Sequence, residues 1–145
     1  MSLTIRQIAF ASSDYDAAVD LRRRVLRTPL GLDFTAEQLA AEGGDTHLAA
    51  FVGDALVATV VLTPYDGGTF KLRQMAVSPD HQGQAIGAQL LAAAEATARR
   101  AGIGQIVLAA RVTAQPFYEK YGYVADGDIF SEVTIPHVHM HKAIG

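Results

Sequence analysis

The chain has 145 residues, of which half are hydrophobic and 19% are charged, with a formal net charge of −3. This composition predicts one folded domain over residues 1–145, long enough to bury roughly 70% of its unfolded surface. The acidic balance argues against nucleic-acid binding, and no apolar run reaches the roughly 18 residues of a membrane span. There is no cysteine and no secretory signal, so we expect a cytoplasmic protein without disulfides, thiolate metal sites or a cysteine nucleophile.

Helix-capping residues, helix-breaking glycines and the alternation of apolar with polar residues indicate the elements in the first half of the chain. The signals predict a strand over 3–10, a helix from the Ser12-Ser13-Asp14 cap to about Arg27, a short helix capped by Thr35 and ending near Ala41, and a hairpin of 47–52 and 55–63 around Gly53-Asp54. In the first helix, Leu21, Val25 and Leu26 form the expected buried stripe. Its end carries Arg22-Arg23-Arg24 and Arg27, which suit either a solvated face at the negative helix end or a contact to an anionic ligand.

The second half alternates strands and helices. The signals predict a turn over 64–68, a strand over 70–77, an alanine-rich helix over 86–100 with Ile86, Leu90, Leu91 and Ala94 buried, a strand over 105–110, a short helix capped by Thr113 and ending at Gly122, and a closing pair of strands over 123–129 and 133–142. This order predicts a three-layer α/β domain with a mixed sheet.

The loop between the strand over 70–77 and the long helix is suited to phosphate. It reads Gln82-Gly83-Gln84-Ala85-Ile86-Gly87, and its small residues let backbone N–H groups close around an anion at the positive end of the helix. The lysine of a Walker loop is missing, and the element order differs from a dinucleotide-binding βαβ unit. An ordinary strand-to-helix turn is the alternative.

This loop resembles the Q/R-x-x-G-x-G/A motif of the GCN5-related N-acetyltransferases (GNAT family). The resemblance implies that Gln82, Gly83, Gln84, Ala85, Ile86 and Gly87 bind acetyl-CoA, and that the sheet is central, mixed and mostly antiparallel, flanked by helices. The first motif glycine of the family is Ala85 here. Because Ala85 lies close to a helix start, we expect it to take helical or extended backbone rather than positive φ.

A second segment strengthens the resemblance. Residues 114–123, Ala-Gln-Pro-Phe-Tyr-Glu-Lys-Tyr-Gly-Tyr, are similar to the A-x-x-F-Y-E-K-x-G-F segment of the family, which implies that Tyr118 is the general acid toward the departing coenzyme A sulfur. Packing in the core is the alternative for this residue. Arg111 replaces a family asparagine. The family also implies that backbone at Met75 and Val77 pairs with the pantetheine arm, and a bulge near 74–76 could aim an N–H at the thioester.

The proton acceptor is not determined by the sequence. The strand over 70–77 carries Lys71 and Arg73 where many family members have glutamate, and His47, Asp33 and Glu132 are alternatives from elsewhere in the chain.

The closing strand places His137, His139 and His141 on one face. We expect polar residues of an edge strand rather than a metal site, because no further ligand has recognisable spacing. The Ile-Pro-His sequence at 135–137, followed by Met140 and Lys142, resembles a bacterial subgroup whose substrates are mostly unassigned.

Together these features predict an N-acetyltransferase that passes the acetyl group of acetyl-CoA directly to a primary amine without a metal. The acceptor could be a small amine, an amino sugar, an amino acid or a protein. An acyl-CoA sensor without turnover and an interaction protein whose loop binds nothing are the alternatives. A homodimer through a sheet edge or the closing hairpin also stays open.

Overall fold

The computed structural model describes residues 2–145 and contains one seven-stranded sheet with the strand order β1-β2-β3-β4-β5-β7-β6. The strands are β1 Leu3–Ile8, β2 Thr46–Val52, β3 Ala55–Asp66, β4 Thr69–Val77, β5 Gln105–Arg111, β6 Val124–Glu132 and β7 Ile135–Ala143. The α-helices are α1 Ser13–Arg22, α2 Ala36–Ala40, α3 Ile86–Arg100 and α4 Gln115–Lys120. Within residues 2–145, no helix has the length and apolarity needed to cross a membrane.

The sheet is mixed and mostly antiparallel, which confirms the predicted fold class. Only β4 and β5 pair in parallel, whereas the other neighbouring strands are antiparallel. Side chains of β2 alternate between the two faces of the sheet. Leu48 and Ala50 join the larger core with α3, while Ala49 and Phe51 join a smaller core with Ala18 of α1. Helices therefore cover both faces and give three layers.

Local capping signals located the helix starts well. The Ser12 hydroxyl accepts a hydrogen bond from the Tyr15 N–H and caps α1. Thr35 caps α2 in a reciprocal capping box with Gln38. In α3 the four residues predicted to be buried are all at most 4% exposed. These signals act over three or four residues, so no distant contact is needed to establish them.

The end of β3 and the start of α4 differ from the prediction. Strand β3 continues through Pro64 to Asp66, and the turn to β4 is reduced to Gly67-Gly68, where the Asp66 carboxylate accepts a hydrogen bond from the Gly68 N–H. Proline is tolerated there because the β3–β4 register shifts at that point. Helix α4 begins after Ala114 rather than at a Thr113 cap, because residues 112–114 form a 3-10 turn.

The closing hairpin also differs from the prediction. Val133 and Thr134 form its turn, both with positive φ (45° and 69°), so β7 begins at Ile135. A β-branched residue with positive φ is strained. Strand β7 lies between β5 and β6 and is not an edge strand, so that expectation is wrong.

The first helix ends differently from the prediction. After Arg22 the backbone widens into a π-helical turn over Arg23–Arg27, a conformation that is rare and frequently found at functional sites. Leu21 is fully buried, whereas Val25 and Leu26 are half-buried. Arg24 is exposed, as a solvated face requires, but Arg22 is only 1% exposed.

Arg22 forms a buried ion pair with Glu42. Its two terminal nitrogens donate to the two carboxylate oxygens at 2.9 and 2.7 Å, and the Tyr15 hydroxyl donates to the same carboxylate at 2.8 Å. Burial acts to raise the pKa of Glu42, but the hydrogen bonds and charge of Arg22 outweigh it, and the net pKa lies below the ordinary value. The pair fastens α1 to the segment that precedes β2.

We expect Glu42→Gln to destabilise the fold by about 3–5 kcal/mol in urea unfolding, because it leaves the Arg22 charge buried without a partner. Asp20→Asn, which breaks the exposed Arg23–Asp20 pair, should cost less than about 1 kcal/mol. Since the folded-state pKa of Glu42 is depressed, its stabilisation is present above about pH 4.5 and is lost as the pH falls below that value. Equal costs for the two variants would contradict this role of the pair.

Candidate functional site

Strands β4 and β5 separate soon after they pair. Their parallel register covers only Thr69–Gln105, Phe70–Ile106 and Lys71–Val107. Beyond Lys71, β4 contains a bulge where Gln74 has a φ of 58°, and its register with β3 shifts between Thr59 and Val61. The predicted bulge near 74–76 is therefore present. The strands diverge beyond it and leave part of the β4 backbone without a strand partner on the β5 side.

A cavity of about 400 Å³ lies at the end of β4 and the start of α3. We call it the loop cavity, and its lining contains six of the residues predicted to bind the cofactor: Val77, Gln82, Gly83, Ala85, Ile86 and Gly87. Gln84 does not line it. The side chain of Gln82 donates to the Val77 carbonyl at 3.2 Å and ties the loop to the end of β4.

The start of α3 presents free backbone donors. Its N-cap is Ala85, which has no side chain that can cap the helix, and the first turn contains no acidic residue. The positive end of a 15-residue helix is therefore left without a negative side chain to balance it. Lys120 also lines the loop cavity and adds a positive charge. An anion is the complementary ligand for this arrangement.

The backbone of Ala85 differs from the expectation. Its φ and ψ are 59° and 20°, in the left-handed region, so the predicted helical or extended conformation is wrong. A left-handed residue followed by the right-handed Ile86 turns successive N–H groups toward one side, which is the geometry of an anion-binding nest. The nest requires the left-handed conformation, which glycine adopts most easily and alanine adopts with strain. The spacing of residues in the loop did not show that Ala85 takes this conformation.

Gly87 leaves room beside the helix backbone. A methyl group on this residue would lie 3.6 Å from the Phe117 ring and 3.7 Å from Val77, which is ordinary van der Waals contact. The protein itself therefore does not require glycine at this position. A ligand that approaches the helix backbone closely would require it.

A second depression lies between the diverging strands, and we call it the strand recess. Its volume is about 120 Å³, and its lining contains Met75 and Tyr118, which the family resemblance assigned to cofactor binding and catalysis. Its lining also contains charged and titratable side chains that the motif analysis did not assign to one site: Arg27, Arg73, Arg111, Glu132 and His137. The sequence offered no signal for their convergence, because they come from five separate segments.

Tyr118 is buried at the base of α4, with 8% of its surface exposed. Burial raises the pKa of its phenol to about 12, so the hydroxyl is protonated at neutral pH. Its ring packs edge-on against Phe117 and Tyr123 while it lines the strand recess. The two interpretations of this residue, core packing and a site position, are both compatible with this placement.

His137 and Glu132 form a pair at the strand recess. His137 is 4% exposed, and its Nδ1 lies 2.9 Å from the Ile135 carbonyl. A carbonyl only accepts hydrogen bonds, so Nδ1 carries the proton and the neutral ring has its lone pair on Nε2. That nitrogen lies 3.7 Å from the Glu132 carboxylate. The pair can take up a proton, and the carboxylate can stabilise the resulting imidazolium.

The other candidate bases lie elsewhere. His47 is buried beside Tyr15, with its Nε2 3.0 Å from the Glu42 carbonyl. Asp33 is paired with Arg23 at 2.7 Å, which lowers the pKa of its carboxyl. Neither lines the strand recess. Of the three alternatives for the base, the structure places only Glu132 there.

The histidines of β7 have separate partners. His139 stacks on Phe130 at 4.3 Å between ring centroids, and His141 Nδ1 lies 2.7 Å from the Asp126 carboxylate. Across residues 2–145, no group of three or more histidine, aspartate and glutamate side chains is arranged to hold a metal ion.

We expect Ala85→Gly to leave the free energy of unfolding unchanged or to raise it by up to about 1 kcal/mol, because relief of the left-handed strain offsets the greater unfolded-state entropy of glycine. Ala92→Gly, at an exposed position in the middle of α3, should instead lose about 1 kcal/mol. Chemical denaturation of both variants checks the difference. Equal losses would show that the Ala85 backbone carries no strain.

Comparisons with known proteins agree with this architecture. The model of the acetyltransferase (GNAT) domain family matches residues 27–144. The N-acetyltransferase YjcF of Bacillus subtilis (strain 168), whose activity is uncharacterized, is 30% identical over 102 residues, which are 70% of this chain and 72% of that protein.

Solved structures show the same fold. An acyl-CoA N-acyltransferase from Pseudomonas aeruginosa is 25% identical and superposes with a TM-score of 0.81, covering 98% of this chain and all of the other. An aminoglycoside 6′-N-acetyltransferase in complex with coenzyme A is 20% identical, with a TM-score of 0.82 and coverage of 97% of both chains. The family match spans most of the present chain, which therefore belongs to the GNAT family of acetyltransferases.

Proposed function

We propose that the protein is an acetyl-CoA-dependent N-acetyltransferase that transfers the acetyl group directly to a primary amine. The observation that carries the proposal is the uncapped start of α3, whose free N–H groups and positive end face the loop cavity beside Lys120. This is the chemistry that a pyrophosphate requires. The coenzyme A bound in the related aminoglycoside acetyltransferase supports the same ligand.

Buried polar atoms at both cavities support a ligand that spans them. Within residues 2–145, Gln74 Oε1 and His81 Nδ1 are buried without a hydrogen-bond partner. Gln74 lines the strand recess and His81 lines the loop cavity. A buried polar atom without a partner costs about 1–3 kcal/mol, and a bound polar ligand can remove that cost. In this proposal Gln82–Gly87 hold the phosphates, while the backbone at Met75 and Val77 accompanies the pantetheine arm.

The residues of the strand recess account for the proton movements. The amine nitrogen attacks the thioester carbonyl carbon, the new C–N bond forms, and the C–S bond breaks to release the thiolate. The nitrogen loses a further proton as it becomes an amide, and the thiolate takes up that proton to leave as the thiol. Nε2 of His137 accepts the proton that the ammonium must lose, and Glu132 stabilises the charged ring. An amine of pKa near 10.4 costs roughly 4.6 kcal/mol to present as a free base at pH 7, so a nearby acceptor is needed.

Tyr118 acts on the leaving sulfur. Proton donation from a phenol of pKa about 12 to a thiolate of pKa near 8.5 is uphill by about 3.5 units, or roughly 5 kcal/mol. A hydrogen bond that strengthens as charge develops on sulfur is therefore its role, rather than complete proton transfer before the bond breaks. The chain has no cysteine to carry an acyl intermediate, which favours direct transfer in a complex that holds both substrates.

The cofactor assignment is tested with Gly87→Ala. We expect this variant to be as stable as the wild type or up to about 1 kcal/mol more stable, since alanine favours the helix and its methyl meets only ordinary contacts. Acetyl-CoA at 100 times its Kd should stabilise the wild type by about 2.7 kcal/mol in thermal unfolding. The variant should bind at least about tenfold more weakly, a loss of about 1.4 kcal/mol.

Gly67→Ala, in the β3–β4 turn away from both cavities, is the matched control and should bind acetyl-CoA as the wild type does. NAD serves as a second nucleotide ligand and should give no stabilisation. Absence of stabilisation by acetyl-CoA, or equal affinity of the Gly87→Ala and wild-type proteins, would refute binding at the α3 start.

The proton-transfer roles are tested with Tyr118→Phe and His137→Gln. Both should lower kcat by about a hundredfold with little change in acetyl-CoA affinity. Raising the pH from about 7 to 9 should restore much of the activity of His137→Gln, because more of the amine is then a free base, but should not restore Tyr118→Phe. Tyr123→Phe removes a 2.9 Å hydrogen bond to Glu95 and should lower stability without changing kcat.

Acetyl-CoA binding with no free thiol released across an amine panel would instead identify an acyl-CoA sensor. Unchanged turnover in either variant would remove that residue from the mechanism.

A further inference from the structure

Two arginines meet at the wall of the strand recess. Arg27 comes from the π-helical turn after α1, and Arg111 comes from the end of β5. Both are half-buried, and both donate to the same acceptor, the Leu26 carbonyl, at 3.2 and 2.9 Å. The arrangement brings two like charges together. Their repulsion must be compensated by a group of the protein, by solvent or by a ligand.

No carboxylate compensates these charges directly. Within residues 2–145, neither Arg27 nor Arg111 lies within 4.0 Å of an aspartate or glutamate oxygen. Burial, followed by the charge of Arg111, lowers the pKa of Arg27, while the more distant Glu132 acts in the opposite direction. Burial lowers the pKa of Arg111 as well. Both guanidinium groups remain protonated at neutral pH.

The other arginines nearby are already paired, which sets these two apart. The two terminal nitrogens of Arg22 are bonded to Glu42, and Arg73 lies 3.8 Å from Glu42 and 3.6 Å from Asp45. Each guanidinium has five N–H donors, of which Arg27 and Arg111 use one each for Leu26. The remaining donors provide the planar arrangement that carboxylate and phosphate groups recognise.

We propose that the amine acceptor carries an anionic group, a carboxylate or a phosphate-type group, which Arg27 and Arg111 bind in the strand recess. This inference rests on the proposed function and specifies its substrate class. The amino end of such an acceptor meets Glu132 and His137, which line the same recess. One small molecule thus presents its positive end to a carboxylate and its negative end to two arginines.

The size of the recess agrees with a compact acceptor. Its volume of about 120 Å³ is slightly smaller than a cavity of about 150 Å³ that binds benzene. The thioester end of acetyl-CoA shares this space in the proposed function, so the recess holds the amine-bearing end of a small acceptor such as an amino acid or a short aminoalkylphosphonate.

The experiment compares acceptors of one chain length that carry either an anionic or a neutral group opposite the amine. Amino acids, their neutral primary amides and aminoalkylphosphonates of the same chain length are offered with acetyl-CoA, and thiol release gives kcat/KM for each. We expect at least one anionic series to exceed the amides by about tenfold or more. The two anionic series separate carboxylate from phosphate-type recognition. Thermal unfolding of the coenzyme A-bound protein with each acceptor measures acceptor binding without turnover.

Arg27→Gln and Arg111→Gln should each reduce the ratio of kcat/KM for the anionic acceptor to kcat/KM for its amide toward one. Arg24→Gln, on the same π-helical turn but exposed, is the charge-matched control and should keep the wild-type ratio. A ratio is insensitive to the fraction of folded protein, so a destabilised variant remains informative. Equal use or equal binding of anionic and neutral acceptors by the wild type would overturn the proposal, even where acetyl-CoA binding upholds the cofactor assignment.

Discussion

The divergence of β4 from β5 is the constraint on which both cavities depend. Parallel pairing stops after three residue pairs, and the bulge at Gln74 bends β4 away from its neighbour. Had the two strands stayed paired, their backbone groups would satisfy each other and the strand recess would be closed. The divergence instead leaves main-chain groups of β4 for a ligand and places the end of β4 beside the start of α3. The bulge and the early end of the parallel pairing therefore open the strand recess.

The arginines of one short segment differ in their partners. Arg22 and Glu42 satisfy each other in the interior and stabilise the junction of α1 with the chain before β2. Arg27, one turn later, receives no carboxylate within the described residues and lies instead beside Arg111. The π-helical turn between them changes the direction in which the side chains leave the helix. Without that widening, the helical periodicity would direct Arg27 elsewhere.

The start of α3 keeps the backbone donors of the proposed binding site free. A capping side chain at position 85 would stabilise the helix by about 1 kcal/mol, but it would occupy the donors that an anion needs. The chain instead has a left-handed Ala85 and the unhindered Gly87. Stability lost in this first turn is supplied by the buried face of the helix, where Leu90, Leu91 and Ala94 are almost fully covered. The proposed site therefore occupies the first turn of the helix, whereas most of its core residues come from later turns.

The sequence by itself determined the features that rest on short-range chemistry. The Ser12 and Thr35 caps, the Gly53-Asp54 hairpin and the limits of α3 each depend on residues a few positions apart, and the layer order follows from their succession. The Ala85 backbone was mispredicted because its conformation depends on the whole turn. Only the tertiary structure decided the strand recess: Arg27, Arg111, Glu132 and His137 meet because β7 inserts between β5 and β6 while β4 bends away. Strand order and divergence arise from packing between distant segments, which no local pattern of residues encodes.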